Sequence, residues 1–338
     1  MKKSLIIALG AIALVACTKT SVSYEQTGEI GFAPVVRKNS TKAAVQGTDF
    51  PDQNIKVYGY YDNSTDPGSS YADGNFAVEY LPGVEFTKKT GGSTWTGKEH
   101  SYYWPKTGSL LFAGYAPADY AAATVAHDKV NNTFSVSEMA QPTDFSKTVD
   151  LLYSPYSTSY NKKVVHMQFA HAFSWITLKA QSDAKISVKI KSIVLKGMAV
   201  TGKADVLPTW TVSGKQELKV FTNDDGTAVT SQLVEFANAE ESVLLFPQEL
   251  GSDAVLEVTY TMDRGDGTFV EQAPYSVVLN TLKSAESTEI NKWEAGKHYT
   301  YIINFSRIGG EPGSSNEITI APTVNNWTPV TADGISAN

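Results

Sequence analysis

Apolar and polar residues alternate with a period of two along much of this chain, and this pattern limits its fold more than any other feature of the sequence. A period of two places successive side chains on opposite faces of an extended strand, so each such segment predicts a strand with one buried face. Convincing helical periodicity is nearly absent after the N-terminal leader. Three segments show the alternation most clearly, at residues 186–190, 256–262 and 299–305.

Short clusters of Asp, Asn, Gly and Pro separate the alternating segments, as at residues 62–68, 223–226 and 263–267. These residue types tolerate positive φ or hydrogen-bond to their own backbone, and they are typical of tight turns. Strands joined by such turns form hairpins, and many short strands with this spacing build β-sandwiches. The sequence therefore predicts an all-β protein.

A small polar break at residues 181–183 separates the apolar run 169–178 from a new strand that begins at Ile186. The chain is long enough for two domains of ordinary size, each with its own core. We therefore expect one domain over residues 28–181 and a second over residues 182–338.

A Gly-, Pro- and Ser-rich insert at residues 309–315 precedes the last segment of the chain. Such a composition is typical of a flexible tether. Ile318 and Ile320 alternate with polar residues after it, so the sequence predicts a terminal strand within residues 316–338.

Residues 1–16 have the pattern of a signal peptide, because two lysines precede the apolar run 5–15, which is too short to cross a bilayer. The run ends in Leu-Val-Ala-Cys, which resembles the lipobox of bacterial lipoproteins, whose cysteine is acylated. We therefore expect lipidation of Cys17, with residues 17–27 as a tether to the outer membrane. The alternative is an ordinary thiol in a cleaved leader. Because Cys17 is the sequence's one cysteine, no intramolecular disulfide can form.

The formal net charge of −7 and the pI of about 5.3 bear on the choice of partners. A protein that binds nucleic acid needs clustered cations to neutralise phosphates, and this chain has no such track. We therefore expect no nucleic-acid partner.

No combination of residues predicts a catalytic site, a cofactor or a bound metal. Residues 92–98 have the Gly and Lys spacing of a phosphate-binding loop, but Glu99 stands where a hydroxyl ligand of magnesium is needed, so we expect a hairpin loop. His166 and His171 are five residues apart in an apparent strand, which places them on opposite faces. HExxH, CxxC and GxSxG motifs are absent from the sequence. We expect a structural or binding protein rather than an enzyme.

Two further features allow either a recognition role or a structural one. Arg264, Gly265 and Asp266 form an integrin-type tripeptide at a predicted hairpin tip, where the alternative is a simple turn built from Asp and Gly. Clustered aromatic side chains would make a sugar-stacking platform if they were exposed together, and would otherwise fill cores and strand edges. The aromatic residues concerned include Tyr58, Tyr60, Tyr61, Trp95 and Trp104.

Several aromatic-rich motifs follow the lipobox in a set order. They are Tyr-Tyr-Trp-Pro at 102–105, Leu-Phe-Ala-Gly-Tyr-Ala-Pro at 111–117, Asp-Leu-Leu-Tyr at 150–153, Phe-Ala-His-Ala-Phe at 169–173, Trp-Glu-Ala-Gly-Lys-His-Tyr-Thr-Tyr at 293–301 and Val-Asn-Asn-Trp at 324–327. None of them is specific alone. Their order and spacing along most of the chain resemble the fimbrillins of the Bacteroidia, including the Mfa-like branch that builds protease-activated pili.

The resemblance implies two transthyretin-like β-sandwich domains in tandem and no catalytic site. In the fimbrillins the first strand of the precursor fills a groove in an incomplete sandwich. A protease cuts after an arginine in the following loop, and the terminal strand of the next subunit then takes the vacated place. Such a groove exposes backbone donors and acceptors that a strand from a neighbour can satisfy.

The resemblance assigns the displaced strand to residues 29–36 and the cut to the bond between Arg37 and Lys38. The alternative is that this segment stays in place as the first strand and that Arg37 is a solvated turn residue. The apolar side chains of the displaced strand are Ile30, Phe32 and Val35.

The candidate donor strand lies within residues 316–338. The alternative is that its apolar side chains complete their own domain. These side chains are Ile318, Ile320, Val324 and Trp327.

Together these features predict a structural fimbrial subunit that is exported as a lipoprotein and reaches the cell surface. Its expected partners are other fimbrial subunits, an arginine-specific protease, the outer membrane through the lipid, and a host or bacterial surface receptor. The alternative is a monomeric or pilus-tip lipoprotein that binds a glycan or a host protein.

Overall fold

A computed structural model describes residues 28–35, 50, 52–62, 78–106, 108–159, 164–184, 186–237, 243–284, 289–307 and 316–326. In these ranges the helices are two short 3-10 turns, Phe145–Lys147 and Leu279–Thr281, and none is long and apolar enough to span a membrane. The predicted all-β fold is therefore confirmed.

The strands are named in chain order. They are β1 (Phe32–Val35), β2 (Ile55–Asp62), β3 (Val78–Lys88), β4 (Trp95–Gly97), β5 (Ser109–Ala116), β6 (Val125–Asp128), β7 (Thr133–Ala140), β8 (Leu152–Ser159), β9 (Val165–Gln168), β10 (Ala170–His171), β11 (Ser174–Ser182), β12 (Val188–Val206), β13 (Thr209–Val229), β14 (Val234–Phe236), β15 (Val243–Leu245), β16 (Gln248–Glu249), β17 (Val255–Asp263), β18 (Phe269–Glu271), β19 (Tyr275–Val278), β20 (Lys292–Trp293), β21 (Lys297–Arg307) and β22 (Asn316–Asn326).

The first part of the chain forms an eight-stranded sheet with the order β10-β8-β5-β2-β3-β4-β1-β9. All of its pairs are antiparallel except β1 with β9, which is parallel. Leu152 near one end of the sheet and Val165 and Met167 at the other end belong to the same apolar cluster. The sheet therefore curls around a single core, here called the N-terminal core, which also contains Ile30 and Phe32.

The later part of the chain forms a β-sandwich, one sheet of which also includes β6 and β7 from the first part. One sheet has the order β14-β11-β21-β22, with β15 also paired to β11. The other has the order β18-β17-β12-β7-β6, with β13 paired to β12 and β19 to β17. Apolar side chains from both sheets meet between them, here called the sandwich core. The alternation predicted from sequence is confirmed, since these side chains are buried: Ile186, Val188, Ile190, Leu256, Val258, Tyr260, Met262, Tyr299, Tyr301, Ile303 and Phe305.

A long hairpin of β12 and β13 connects the two parts. The first half of β12 pairs with β17, and its second half pairs with β7. At Gly197 the φ angle is +70°, and an added Cβ would lie 2.2 Å from the carbonyl oxygen of Asp253, so only glycine fits this bend. Beyond it, stacked rings of Phe173 and Trp210, with Phe246 against both, form a third cluster that joins the sheets.

The predicted division between residues 181 and 182 falls at the end of β11. This strand is hydrogen-bonded to β14, β15 and β21, all of which follow that position in the chain. The structure thus places β11 in the sandwich of the later part. The division into tandem transthyretin-like domains stays a prediction.

Candidate functional site

Strand β1 lies inside the eight-stranded sheet, between β4 and β9. Its parallel register with β9 runs from the pair of Phe32 with Val165 to the pair of Val35 with Gln168, whereas its register with β4 is the single pair of Phe32 with Trp95. The amide of Val165 donates to the carbonyl oxygen of Gly31 over 2.8 Å. Backbone bonds on the β4 side are therefore few, and a short ladder is easier to open than a long one.

Residues just before β1 extend its attachment. The amide of Ile30 donates to the carbonyl oxygen of Tyr102 over 2.7 Å, and the amide of Trp104 donates to that of Gly28 over 3.2 Å. Glu29 forms an isolated antiparallel bridge with Tyr103. The segment predicted as the displaced strand is therefore held by main-chain hydrogen bonds along both of its edges.

The side chains of β1 complete the N-terminal core. Ile30 and Phe32 are 0% exposed. The ring of Phe32 meets that of Phe86 edge-on at 4.8 Å and that of Phe112 at 5.0 Å between centroids. Burying an apolar side chain of this size contributes about 1.5–3 kcal/mol, so loss of β1 would open an apolar groove at the centre of this core.

Strand β22, unlike β1, lies at the edge of its sheet. It pairs antiparallel with β21 from Lys297 opposite Asn326 to Arg307 opposite Asn316. Within the part of the chain that the structure describes, β22 is hydrogen-bonded to no other strand. Among the described residues, its outer edge is therefore unpaired.

The anchors predicted on β22 are only partly buried. Ile318 and Ile320 pack against the sandwich core as half-buried side chains, and Val324 is 38% exposed. Pro322 is buried opposite Tyr301, a position that an edge strand allows to a residue without an amide hydrogen. Of the other predicted residues, Cys17, Arg37, Lys38 and Trp327 lie outside the described residues.

A family model described as "Fimbrillin-like" matches residues 41–327. The chain belongs to this fimbrillin-like family. No curated protein matches the fimbrillin-like chain. Membership places it in a family of fimbrial structural proteins.

Solved structures resemble this fimbrillin-like chain in fold. A fimbrial protein from Bacteroides vulgatus has a TM-score of 0.59 at 15% identity, with 89% of this chain and 99% of that chain covered. A proposed cell adhesion protein from Bacteroides uniformis has a TM-score of 0.50 at 13% identity, with the same coverage. At these identities the likeness shows the fold alone.

Sequence reasoning missed two features of the site. The first is β9 as the parallel partner of β1, because a partner more than one hundred residues away leaves no local signal. The second is a buried pair beside the sheet, where Nδ1 of His171 lies 2.7 Å from Oδ2 of Asp150, with both side chains 2% exposed. Both residues belong to the aromatic-rich motifs, and their place in these motifs was the sequence feature that could have pointed to the pair.

Three of the histidines occupy different environments. His166 is exposed in β9 and His171 is buried in β10, so the two lie in separate strands rather than in the single strand predicted, and they do not face each other. The ring of His298 stacks on Trp175 at 3.6 Å, and burial lowers the pKa of His298 to about 4. Among the described residues no three His, Cys, Asp or Glu side chains form a metal-binding group.

The remaining sequence features are ordinary parts of the fold. Residues 89–94 form the turn between antiparallel β3 and β4. The hairpin loop predicted over residues 92–98 is therefore right for 92–94 but wrong for Trp95–Gly97, which form β4 itself because they pair with β3. Tyr60, Trp95 and Trp104 are buried, which supports the core interpretation for these three. The tripeptide at Arg264 forms an exposed tip between β17 and β18 that Asp263 stabilises through Oδ1, which accepts hydrogen bonds from the amides of Gly265 and Gly267.

Proposed function

We propose that this chain is a structural subunit of a fimbrium, exported as a lipoprotein anchored at Cys17 and assembled with other subunits by protease-triggered strand exchange. The observation that carries the proposal is the position of β1, which is inserted between two strands with its apolar side chains in the N-terminal core. A strand held in this way can be exchanged for another extended segment without rearranging its neighbours.

Cleavage after Arg37 would act on two connections at once. It would separate the body of the protein from Cys17 and hence from the outer membrane. It would also free β1 from the rest of the chain, so that only its short ladder and its buried side chains would retain it. A strand of another subunit can then compete for the groove, and head-to-tail contacts of this kind propagate as a filament.

The test is to treat the purified precursor with an arginine-specific protease and to follow assembly as ladders on a gel run with cold detergent. Arg37→Ala should block both cleavage and ladders. The matched controls are Arg264→Ala and Arg307→Ala, which remove the other two arginines of the sequence and should leave assembly intact. Ladders formed by uncut Arg37→Ala protein would refute the proposed trigger.

One observation favours a second candidate, a monomeric or tip lipoprotein that binds a glycan or a host protein. Strand β22 is paired along its whole length with β21 of the same molecule. A subunit that keeps this pairing would receive a strand and donate none. Cleaved protein that stays monomeric, yet caps the ends of filaments of another subunit, would establish this role.

A further inference from the structure

The hairpin tip between β17 and β18, residues 264–268, has a backbone shape that the fold explains. Oδ1 of Asp263 accepts hydrogen bonds from the amides of Gly265 and Gly267 over 2.8 and 2.9 Å. Gly265 has a φ of +102° and Gly267 a φ of +86°, which are angles that favour glycine over other residues. Asp263 and the two glycines are therefore needed to form the turn.

The two charged side chains of the tip have no comparable structural use. Arg264 is exposed, and its guanidinium makes no hydrogen bond or ion pair with another residue that the structure describes. Asp266 is also exposed, and its Oδ1 accepts from the amide of Thr268 over 2.8 Å, a bond that orients the carboxylate and lowers its pKa. An ionised carboxylate offers about four lone-pair sites, so Asp266 can still bind a cation. The tip therefore presents one cation and one anion to solvent, two residues apart.

The cation at the tip is an arginine in a chain that otherwise relies on lysine. Three of the 28 lysine and arginine residues in the sequence are arginines. A solvated turn needs only a polar side chain at this position, and lysine would serve equally well. Arginine differs from lysine because its planar guanidinium can form two parallel hydrogen bonds with one carboxylate. Arg264 therefore suits a binding partner that offers an acidic group.

The tip stands on a fixed base, far from the groove of β1. Strand β18 lies at the edge of its sheet and is fastened to β12 across β17. Nζ of Lys189 lies 4.6 Å from the centre of the Phe269 ring, and Nζ of Lys191 donates to Oε1 of Glu271 over 2.5 Å. Strand β17 begins opposite Lys196, next to the bend between the two parts of the chain, and ends about 26 Å further along. A partner bound at the tip is therefore remote from the groove of the same molecule.

We propose that the tip between β17 and β18 is an adhesive site for an integrin-type receptor. Arg264 pairs with an acidic group of the receptor. Asp266 completes the coordination of a divalent cation that the receptor holds, because Mg²⁺ and Ca²⁺ take carboxylate oxygens as ligands. The proposal goes beyond strand exchange and does not depend on it, since the precursor and the cleaved protein present the same tip.

The first experiment measures binding of the purified full chain to a panel of soluble integrin ectodomains that recognise Arg-Gly-Asp peptides, by biolayer interferometry in the presence of Mn²⁺. The chain should bind at least one of them. EDTA or a short Arg-Gly-Asp peptide should abolish this binding, whereas an Arg-Gly-Glu peptide should leave it intact. Absence of binding across the panel, or binding that persists in EDTA, would overturn the proposal.

Two charge-conserving variants test the assigned side chains. Asp266→Glu moves the carboxylate by one methylene, and Arg264→Lys removes the forked guanidinium, so each should weaken binding at least about thirtyfold, as the loss of a hot-spot residue does. The matched controls are Asp225→Glu and Arg307→Lys, which make the same chemical changes elsewhere and should leave the affinity unchanged. All four variants should form ladders after cleavage, which separates this result from that of strand exchange. Unchanged affinity of the tip variants, or equal losses in the controls, would overturn the proposal.

Asp263→Ala tests whether the shape of the turn contributes to binding. This variant keeps the tripeptide but removes the acceptor for the amides of Gly265 and Gly267. Affinity should fall about tenfold, because a tip that is not held in one conformation must be ordered when it binds. Urea unfolding of the variant checks that it remains folded. A folded variant that binds as tightly as the original chain would overturn the role assigned to the hairpin.

Discussion

Phe32→Ala should loosen β1 without loosening the sandwich. The phenylalanine is 0% exposed and lies between the rings of Phe86 and Phe112. Truncating a phenylalanine in a core costs about 3–5 kcal/mol through lost transfer energy and the cavity left behind. If β1 opens locally, the same cost is subtracted from the free energy of opening β1. Amides protected by β1 should then exchange roughly two to four orders of magnitude faster.

The assay is amide hydrogen exchange at Val165, whose N–H is bonded to the carbonyl oxygen of Gly31. The matched control is Phe236→Ala, because Phe236 is 1% exposed and belongs to the sandwich core, with its ring 5.0 Å from that of Phe221. The control should lower the free energy of unfolding by a similar amount and leave exchange at Val165 nearly unchanged. Equal acceleration by both variants would refute the reasoning, since β1 would then open only when the whole protein unfolds.

Three other predictions concern stability. Asp150→Ala removes the buried 2.7 Å contact between Oδ2 of Asp150 and Nδ1 of His171, so urea unfolding should show a loss of about 1–3 kcal/mol. Gly197→Ala should prevent folding or lower the free energy of unfolding by more than about 2 kcal/mol, because the new Cβ would collide with backbone atoms. The control is Gly91→Ala, because Gly91 has a similar φ of +73° and a Cβ there would meet nothing within 4 Å. This control should cost about 1–2 kcal/mol in the same urea assay. Burial holds the pKa of His298 at about 4, below its unfolded value of about 6.5, so the fold favours the neutral ring. The contribution of the neutral ring to the free energy of unfolding is present above pH 6.5 and is lost as the pH falls towards 4. Urea unfolding should therefore show a loss of about 2–3 kcal/mol between pH 7 and pH 4.5. His298→Gln should reduce this pH dependence, and an unchanged dependence in the variant would contradict the prediction.

The strands themselves were predictable because their signal is local. A period of two marks a half-buried strand wherever it lies, and the side chains at 256–262 and 299–305 are buried at alternate positions as expected. The turn cluster at 263–267 likewise predicted the tip between β17 and β18, whereas the cluster at 223–226 lies within β13 and does not form a turn between strands.

Strand neighbours were not predictable in this way. Nothing in residues 32–35 specifies a parallel partner at 165–168, and the polar break at 181–183 does not reveal that β11 pairs with β21. Strand register depends on contacts between residues that are distant in the sequence. Alternation of apolar and polar residues shows which face of a strand is buried, but it does not show which strand lies beside it.

The most direct test of the central claim, that β1 must leave its place between β4 and β9 before subunits assemble, is a disulfide lock. In a Cys17→Ser background, Ala33→Cys with His166→Cys should join β1 to β9 on oxidation, because Ala33 is opposite His166. The locked protein should still be cut by the protease, yet form no ladders until the disulfide is reduced. Ala33→Cys with Gln168→Cys, two residues out of register on the same exposed side of β9, should not lock and should form ladders after cleavage. Ladders from the oxidised, locked protein would contradict the account.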